Sequence, residues 1–145
     1  MMRITYSTLA LSTILAAALS AAPKKIVQPK EFPTGRPFSP AILAGGTLYV
    51  SGQIGIDLQT NKIPEQFEAE VKLCLENIGI ILKAGGMGYE DVVAVQVYLT
   101  DMDQFQRMNS VYTTFFKEPR PTRTTVGIAK LAGGAHIEIT VTARK

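Results

Sequence analysis

Apolar positions recur along this chain with two different periods. Between Glu65 and Lys83, the residues Phe67, Val71, Cys74, Leu75, Ile78, Ile81 and Leu82 fall at helical spacing and form one stripe suited to burial. Glu65, Glu68 and Glu70 sit where a helix N-terminus favours negative charge, Lys83 sits where the other end favours positive charge, and Gly85-Gly86 ends the element. Phe105, Met108, Val111, Tyr112, Phe115 and Phe116 predict a second helix, capped by Asp101 or Asp103 and stopped by Pro119 and Pro121. The other period is two. From Ile137 to Ala143, the residues Ile137, Ile139 and Val141 face one way, and Glu138, Thr140 and Thr142 the other. Val92 to Leu99 is a β-branched run broken by Gln96, and Thr122 to Ile128 also reads as a strand. Ile42 to Ala44 and Thr47 to Ser51 flank Gly45-Gly46, a hairpin signal, because a two-residue turn of this kind needs positive φ. Gly52 and Gly55 mark places where the backbone bends or approaches another group closely.

The predicted order is strand, strand, helix, strand, helix, strand, strand, with Gly133-Gly134 turning the chain before the last strand and no internal repeat. Two amphipathic helices must each cover a sheet, which gives an α+β fold, an α/β sandwich with the helices on one side. Two helices do not cover both faces of such a sheet. The remaining face, carrying Val, Tyr and Thr side chains, is then expected to be covered by another subunit.

The first 22 residues follow a different logic. Arg3 is followed by an apolar run from Leu9 to Leu19, interrupted only by Ser12 and Thr13, and then by the small residues Ser20, Ala21 and Ala22. This is the layout of a secretory signal peptide over residues 1–20, with cleavage after Ser20, and the run is too short for a membrane span. The domain proper is residues 23–145, and the protein is expected to be exported, periplasmic or secreted, without a membrane anchor after cleavage. Residues 23–40 contain Pro23, Pro29, Pro33, Pro37 and Pro40, which forbid a helix and keep the chain extended.

Composition narrows the chemistry. The 145 residues are 46% hydrophobic and 19% charged, the balance of one folded domain. The formal charge of +3 falls to +2 when Arg3 leaves, too small and too scattered for a nucleic-acid or membrane surface. Cys74 is the one cysteine and His136 the one histidine, so an internal disulfide is excluded and the sequence gives no support to a Cys/His pair or a zinc cluster. Cys74 lies on the apolar helix stripe and reads as a buried thiol acting as a small hydrophobe. Glu68 and Glu70 read as helix-face charges, and His136, just before the last strand, as solvated.

Arg123 and Glu138 stand out because each sits inside a strand pattern among prolines, threonines and aliphatic residues. The fork of a guanidinium suits a carboxylate held by two hydrogen bonds. A strand glutamate in dry surroundings is suited to proton transfer. The residues alone leave an equal reading open, a structural Arg–Glu pair across adjacent strands.

Three segments carry a resemblance. They are Gly46-Thr47-Leu48-Tyr49-Val50-Ser51-Gly52-Gln53-Ile54, Met108-Asn109-Ser110-Val111-Tyr112, and Pro121-Thr122-Arg123-Thr124-Thr125-Val126-Gly127-Ile128-Ala129-Lys130-Leu131 followed by Ile137-Glu138-Ile139. In this order they resemble the RidA/YjgF family over roughly residues 24–145. The resemblance implies a homotrimer of chorismate-mutase-like subunits, each a mixed six-stranded sheet with two helices on one face, and active sites between subunits. It implies hydrolysis of reactive imines and enamines such as 2-aminoacrylate to 2-oxo acids and ammonia, with no cofactor and no metal. By the same resemblance, Arg123 grips the substrate carboxylate, Glu138 orients water and moves protons, and Ser51, Gly52 and Asn109 line the site. Two lining positions depart from the family pattern: Phe38 stands where many members have Tyr, and Thr125 where many have Cys. The alternatives are a small-carboxylate-binding or chaperone-like module without chemistry and, third, an endoribonuclease, which the lack of a basic, aromatic-studded groove and of paired histidines argues against.

Overall fold

The computed structural model describes residues 22–145, so the signal segment expected at residues 1–20 lies outside the described residues. The described chain forms β1 (Lys25–Val27), β2 (Ala41–Ala44), β3 (Thr47–Val50), β4 (Gln53–Ile54), α1 (Phe67–Ala84), β5 (Val92–Leu99), α2 (Phe105–Phe115), β6 (Thr122–Gly127) and β7 (Ile137–Arg144). Six strands follow the path β1-β2-β3-β7-β5-β6, and β4 adds a seventh beside β7. The two strands missing from the periodicity are three-residue β1, inside the extended proline-rich segment, and two-residue β4, both too short to show a period. Only β5 and β6 run parallel, joined by a crossover through α2, so the sheet is mixed.

Local chemistry sets these boundaries. Gly45 and Gly46 take φ of 55° and 77°, the positive values that let β2 turn directly into β3 with Ala44 opposite Thr47. α1 ends where Gly86 turns to φ 75°. Asp101 accepts a hydrogen bond at Oδ1 from the Asp103 amide and starts one 3-10 turn that leads into α2.

The core lies between α1 and one sheet face. Val71, Cys74, Leu75, Ile78, Ile81 and Leu82 of α1 are fully buried, as are Leu48, Val97, Leu99, Ile137 and Ile139 of the strands. Each large aliphatic side chain removed from water here stabilises the fold by roughly 1.5–3 kcal/mol. Tyr89 closes one end, edge-on to Phe115 and Phe116 at 5.4 and 5.6 Å between ring centroids, with its hydroxyl donating to the Leu75 carbonyl. The other sheet face has no such cover within the described chain. Strand register aligns Ile26 with Ile42, Ile42 with Tyr49, Tyr49 with Thr142, and Tyr98 with both Glu138 and Val126, so these side chains share that face. Ile26, Tyr49 and Val126 are 61%, 54% and 40% exposed. This is the bare apolar face that the element count predicted.

Burial pushes the Cys74 thiol well above its usual range and, with help from the charge of Glu76, raises the Tyr89 phenol to about 12. In the unfolded chain these groups ionise near 9.0 and 10.0. Above pH 9 the unfolded state therefore binds fewer protons than the folded one, and stability falls as pH rises. Urea midpoints measured from about pH 8 to about pH 10.5 are expected to decline, less steeply in Cys74→Ala than in wild type; equal slopes would contradict this assignment.

Candidate functional site

Glu138 is the second residue of β7, the strand with neighbours on both sides along its length. It lies opposite Tyr98 of β5 and opposite Ile54 of β4. Strict alternation turns Ile137 and Ile139 into the core and Glu138 onto the bare face, half-buried. Between β3 and β4 the pairing with β7 slips by one residue: Tyr49 faces Thr142, but Gln53 faces Ile139. That extra residue is a bulge, and it brings Gly52 against the Glu138 carboxylate. A Cβ on Gly52 would lie 1.9 Å from Glu138 Oε1, so any larger residue there would force the carboxylate to move. Gly52, Tyr98, Ile128, Leu131, Glu138 and Thr140 line a cleft of about 320 Å³. Beside it the Ser51 hydroxyl donates to the Ser39 carbonyl at 2.7 Å, and the Thr140 hydroxyl donates to the Val50 carbonyl. Ser51 has its proton committed to backbone and no basic partner, so it lines the wall rather than attacks.

Arg123 occupies β6 at the edge of the sheet. It aligns with Val95, and through Val95 with Val141, both of which face the helices. Its guanidinium packs over the Tyr112 ring at 4.6 Å and the Phe105 ring at 5.6 Å, with Met108 Sδ 3.9 Å from Nη1. These three residues belong to α2. Among the described residues no carboxylate comes within 4.0 Å of it. The charge is held by aromatic faces, worth roughly 0.5–2 kcal/mol, and its hydrogen-bonding edge has no anion. Thr125, two residues on, shares this face, and its Oγ1 is buried without a hydrogen-bond partner among the described residues, as is the Tyr112 hydroxyl. Burial pushes the Tyr112 phenol up, and the nearby positive charge of Arg123 offsets part of that. Asn109 is half-buried on the same helix, its amide 3.5 Å from Gln106 Oε1.

The structure thus brings Glu138 and Gly52 together, with Ser51 next in the chain, on one side, and puts Arg123, Thr125 and the α2 residue Asn109 on the helix side. The reading of Arg123 and Glu138 as a pair across adjacent strands is corrected: β5 lies between β6 and β7. Along β5 the two residues project to Val95 and Tyr98, three positions apart, and an odd offset sends them to opposite faces. Phe38 is half exposed, with the Arg36 guanidinium 5.8 Å from its ring, and is not among the residues lining the cleft. Residues that sequence reasoning passed over are Tyr98, which the β5 alternation places beside Glu138, and Phe105, Met108 and Tyr112, read only as core. No group of three or more potential metal ligands occurs among the described residues.

A mixed sheet backed by two helices, with a carboxylate in a cleft on its bare face and an unpaired guanidinium at its edge, defines a class of small α+β proteins. Comparison with known proteins agrees. A family model for Endoribonuclease L-PSP matches residues 28–145. A RutC family protein of Aquifex aeolicus is 38% identical over 84% of this chain and 99% of its own length. A 2-iminobutanoate/2-iminopropanoate deaminase of Mus musculus is 35% identical over 80% of this chain and 87% of its own. The structure of TdcF from E. coli with bound serine superposes with a TM-score of 0.78 at 32% identity, covering 83% of this chain and 98% of that one. The chain belongs to this family, the RidA/YjgF proteins.

Gly52→Ala is expected to drive the Glu138 carboxylate out of its present rotamer, which a crystal structure of the variant reads directly. An undisturbed Glu138 in that variant would refute the close approach.

Proposed function

We propose that this protein hydrolyses 2-imino acids, formed from enamines such as 2-aminoacrylate, to 2-oxo acids and ammonia, at a site completed between copies of the chain. The observation that carries this reading is the separation of an anion-free guanidinium from an accessible carboxylate on opposite faces of one sheet. One chain cannot bring the two to a small substrate. A neighbouring copy laid against the bare face can set the edge strand β6 of one subunit beside the cleft of the next, and closed cyclic assembly repeats that contact. A homotrimer with three such sites is the arrangement proposed, and the apolar side chains Ile26, Tyr49 and Val126 favour its burial.

In this site Arg123 holds the substrate carboxylate through two parallel hydrogen bonds. Thr125 and Asn109 border that end, and Ser51 and Gly52 border the other. Glu138 accepts a proton from water as the water oxygen bonds to the imine carbon. The tetrahedral adduct then collapses: Glu138 returns its proton to the nitrogen, the freed carboxylate takes the hydroxyl proton as the carbonyl forms, the carbon–nitrogen bond breaks with its electron pair going to nitrogen, ammonia leaves, and Glu138 passes the last proton to solvent. A protonated imine is already a strong electrophile, so no cofactor is called for and positioning supplies much of the rate. General acid–base help contributes typically 10²–10⁴-fold. The family's ribonuclease description finds less support: the chain's one histidine, His136, has Nδ1 engaged by Glu70 at 2.8 Å, leaving no histidine pair for phosphodiester cleavage. If the leader reading holds, this chemistry takes place outside the cytoplasm.

The test is ammonia release from freshly generated 2-aminoacrylate. Arg123→Ala and Glu138→Ala are each expected to lose at least about 100-fold in kcat/KM. Mixed and reassembled in equal amounts, the two inactive chains should recover about a quarter of wild-type turnover, the share of contacts at which an intact Arg123 meets an intact Glu138. No recovery in mixed trimers would overturn the shared site. Full activity of Arg123→Ala would overturn the assignment of the carboxylate grip.

A further inference from the structure

Helix α1 carries a polar stripe through the middle of its buried face. Glu70, Cys74 and Asn77 lie at helical spacing and are 0%, 0% and 2% exposed. None of them bonds another helix. Glu70 Oε1 accepts from the amides of His136 at 2.7 Å and Ile137 at 3.3 Å, while Oε2 sits 2.8 Å from His136 Nδ1. Cys74 Sγ donates to the Gln53 carbonyl, and Asn77 Nδ2 donates to the carbonyls of Ile54 and Ile56. Gly55 lies so close to the same helix turn that a Cβ there would be 2.1 Å from the Glu70 carbonyl oxygen. Every one of these bonds ends on the two segments that flank Glu138: the entry to β7 at residues 136–137, and its partner strand β4 with the two residues that follow it, 53–56.

A buried carboxylate is costly unless its oxygens are occupied by donors. Glu70 is an expensive way to hold a strand end that apolar packing alone would leave free to slide, and hydrogen bonds specify direction and register where apolar contact does not. Oε2 of Glu70 and Nδ1 of His136 share one hydrogen bond, and the imidazole, 60% exposed, becomes the outer member of the tether.

We propose that Glu70, with His136 as its outer partner, is a positioning residue for Glu138. It acts by locking the first turn of backbone before β7, while Cys74 and Asn77 lock β4 on the opposite side. The catalytic half of this inference rests on the deaminase reading above. The structural half does not.

The experiment compares wild type, Glu70→Gln and His136→Ala as assembled full-length chains. Glu70→Gln keeps the shape but replaces one acceptor oxygen by a donor. Its kcat for 2-aminoacrylate hydrolysis is expected to fall about tenfold with KM changed less than about twofold, because the carboxylate grip at Arg123 is untouched. The amides of His136 and Ile137 should exchange with solvent at least about tenfold faster relative to those of β5. His136→Ala, altering a largely exposed side chain, should lower kcat about threefold in the same pattern, and decides the matter if Glu70→Gln does not fold. Unchanged kcat per folded chain, or a change confined to KM, overturns the positioning role. A wild type with no turnover at all would overturn the deaminase reading instead; the tether then stands or falls on exchange, and equal protection in Glu70→Gln overturns it.

Discussion

Side chains on a strand alternate between two faces, and hydrogen-bonded neighbours share that alternation rung by rung. Once β5 is paired with β6 on one side and β7 on the other, the direction of every side chain in the middle of this sheet is decided. The core follows, since Val95, Val97 and Leu99 join Ile137, Ile139 and Val141 under the helices. So does the separation of Arg123 and Glu138, the two residues proposed for the chemistry. A slip of one residue in the β5–β7 pairing would put Arg123 and Glu138 on the same face, and would also turn a row of aliphatic side chains out into water. Burying those side chains outweighs by far any single polar contact, so the hydrophobic core is what holds the guanidinium and the carboxylate apart.

Much of this was legible beforehand, for a reason specific to each element. α1 and β7 carry long runs of apolar residues at a single period, and the structure starts and ends them within two residues of the expected positions. The Gly45-Gly46 hairpin was readable because few residues besides glycine take two successive positive φ values. Gly52 was expected to mark a close approach, and the group it approaches is Glu138 itself. The relative facing of Arg123 and Glu138 was not legible. It depends on three-strand register between segments joined by long connections, and neither segment's own pattern encodes it.

Glu70 shows a subtler failure. Its position in the first turn of a helix suggested a solvated charge favoured by the helix dipole, yet it is fully buried and bonds the backbone at the entry to β7. The signal was present: Glu70 and Asn77 fall within the apolar stripe, three or four residues from Phe67, Cys74 and Ile81 and so on the same helix face. His136 was expected to be solvated, and its ring is, but one nitrogen is held by that same carboxylate. Polar residues that interrupt a buried stripe report a backbone to be satisfied elsewhere, and here that backbone belongs to the strands framing the proposed water-orienting carboxylate.

β6 ends the sheet with only β5 as a neighbour, so its outer row of amide and carbonyl groups has no ladder partner in the described chain. Flanked by the exposed Val126 and bearing no acidic residue and only one positive charge along its length, this edge is poorly defended against strand pairing with whatever extended chain it meets. An isolated chain therefore presents an edge open to pairing with another extended strand. The assembly proposed above would cover this edge as well as complete a site.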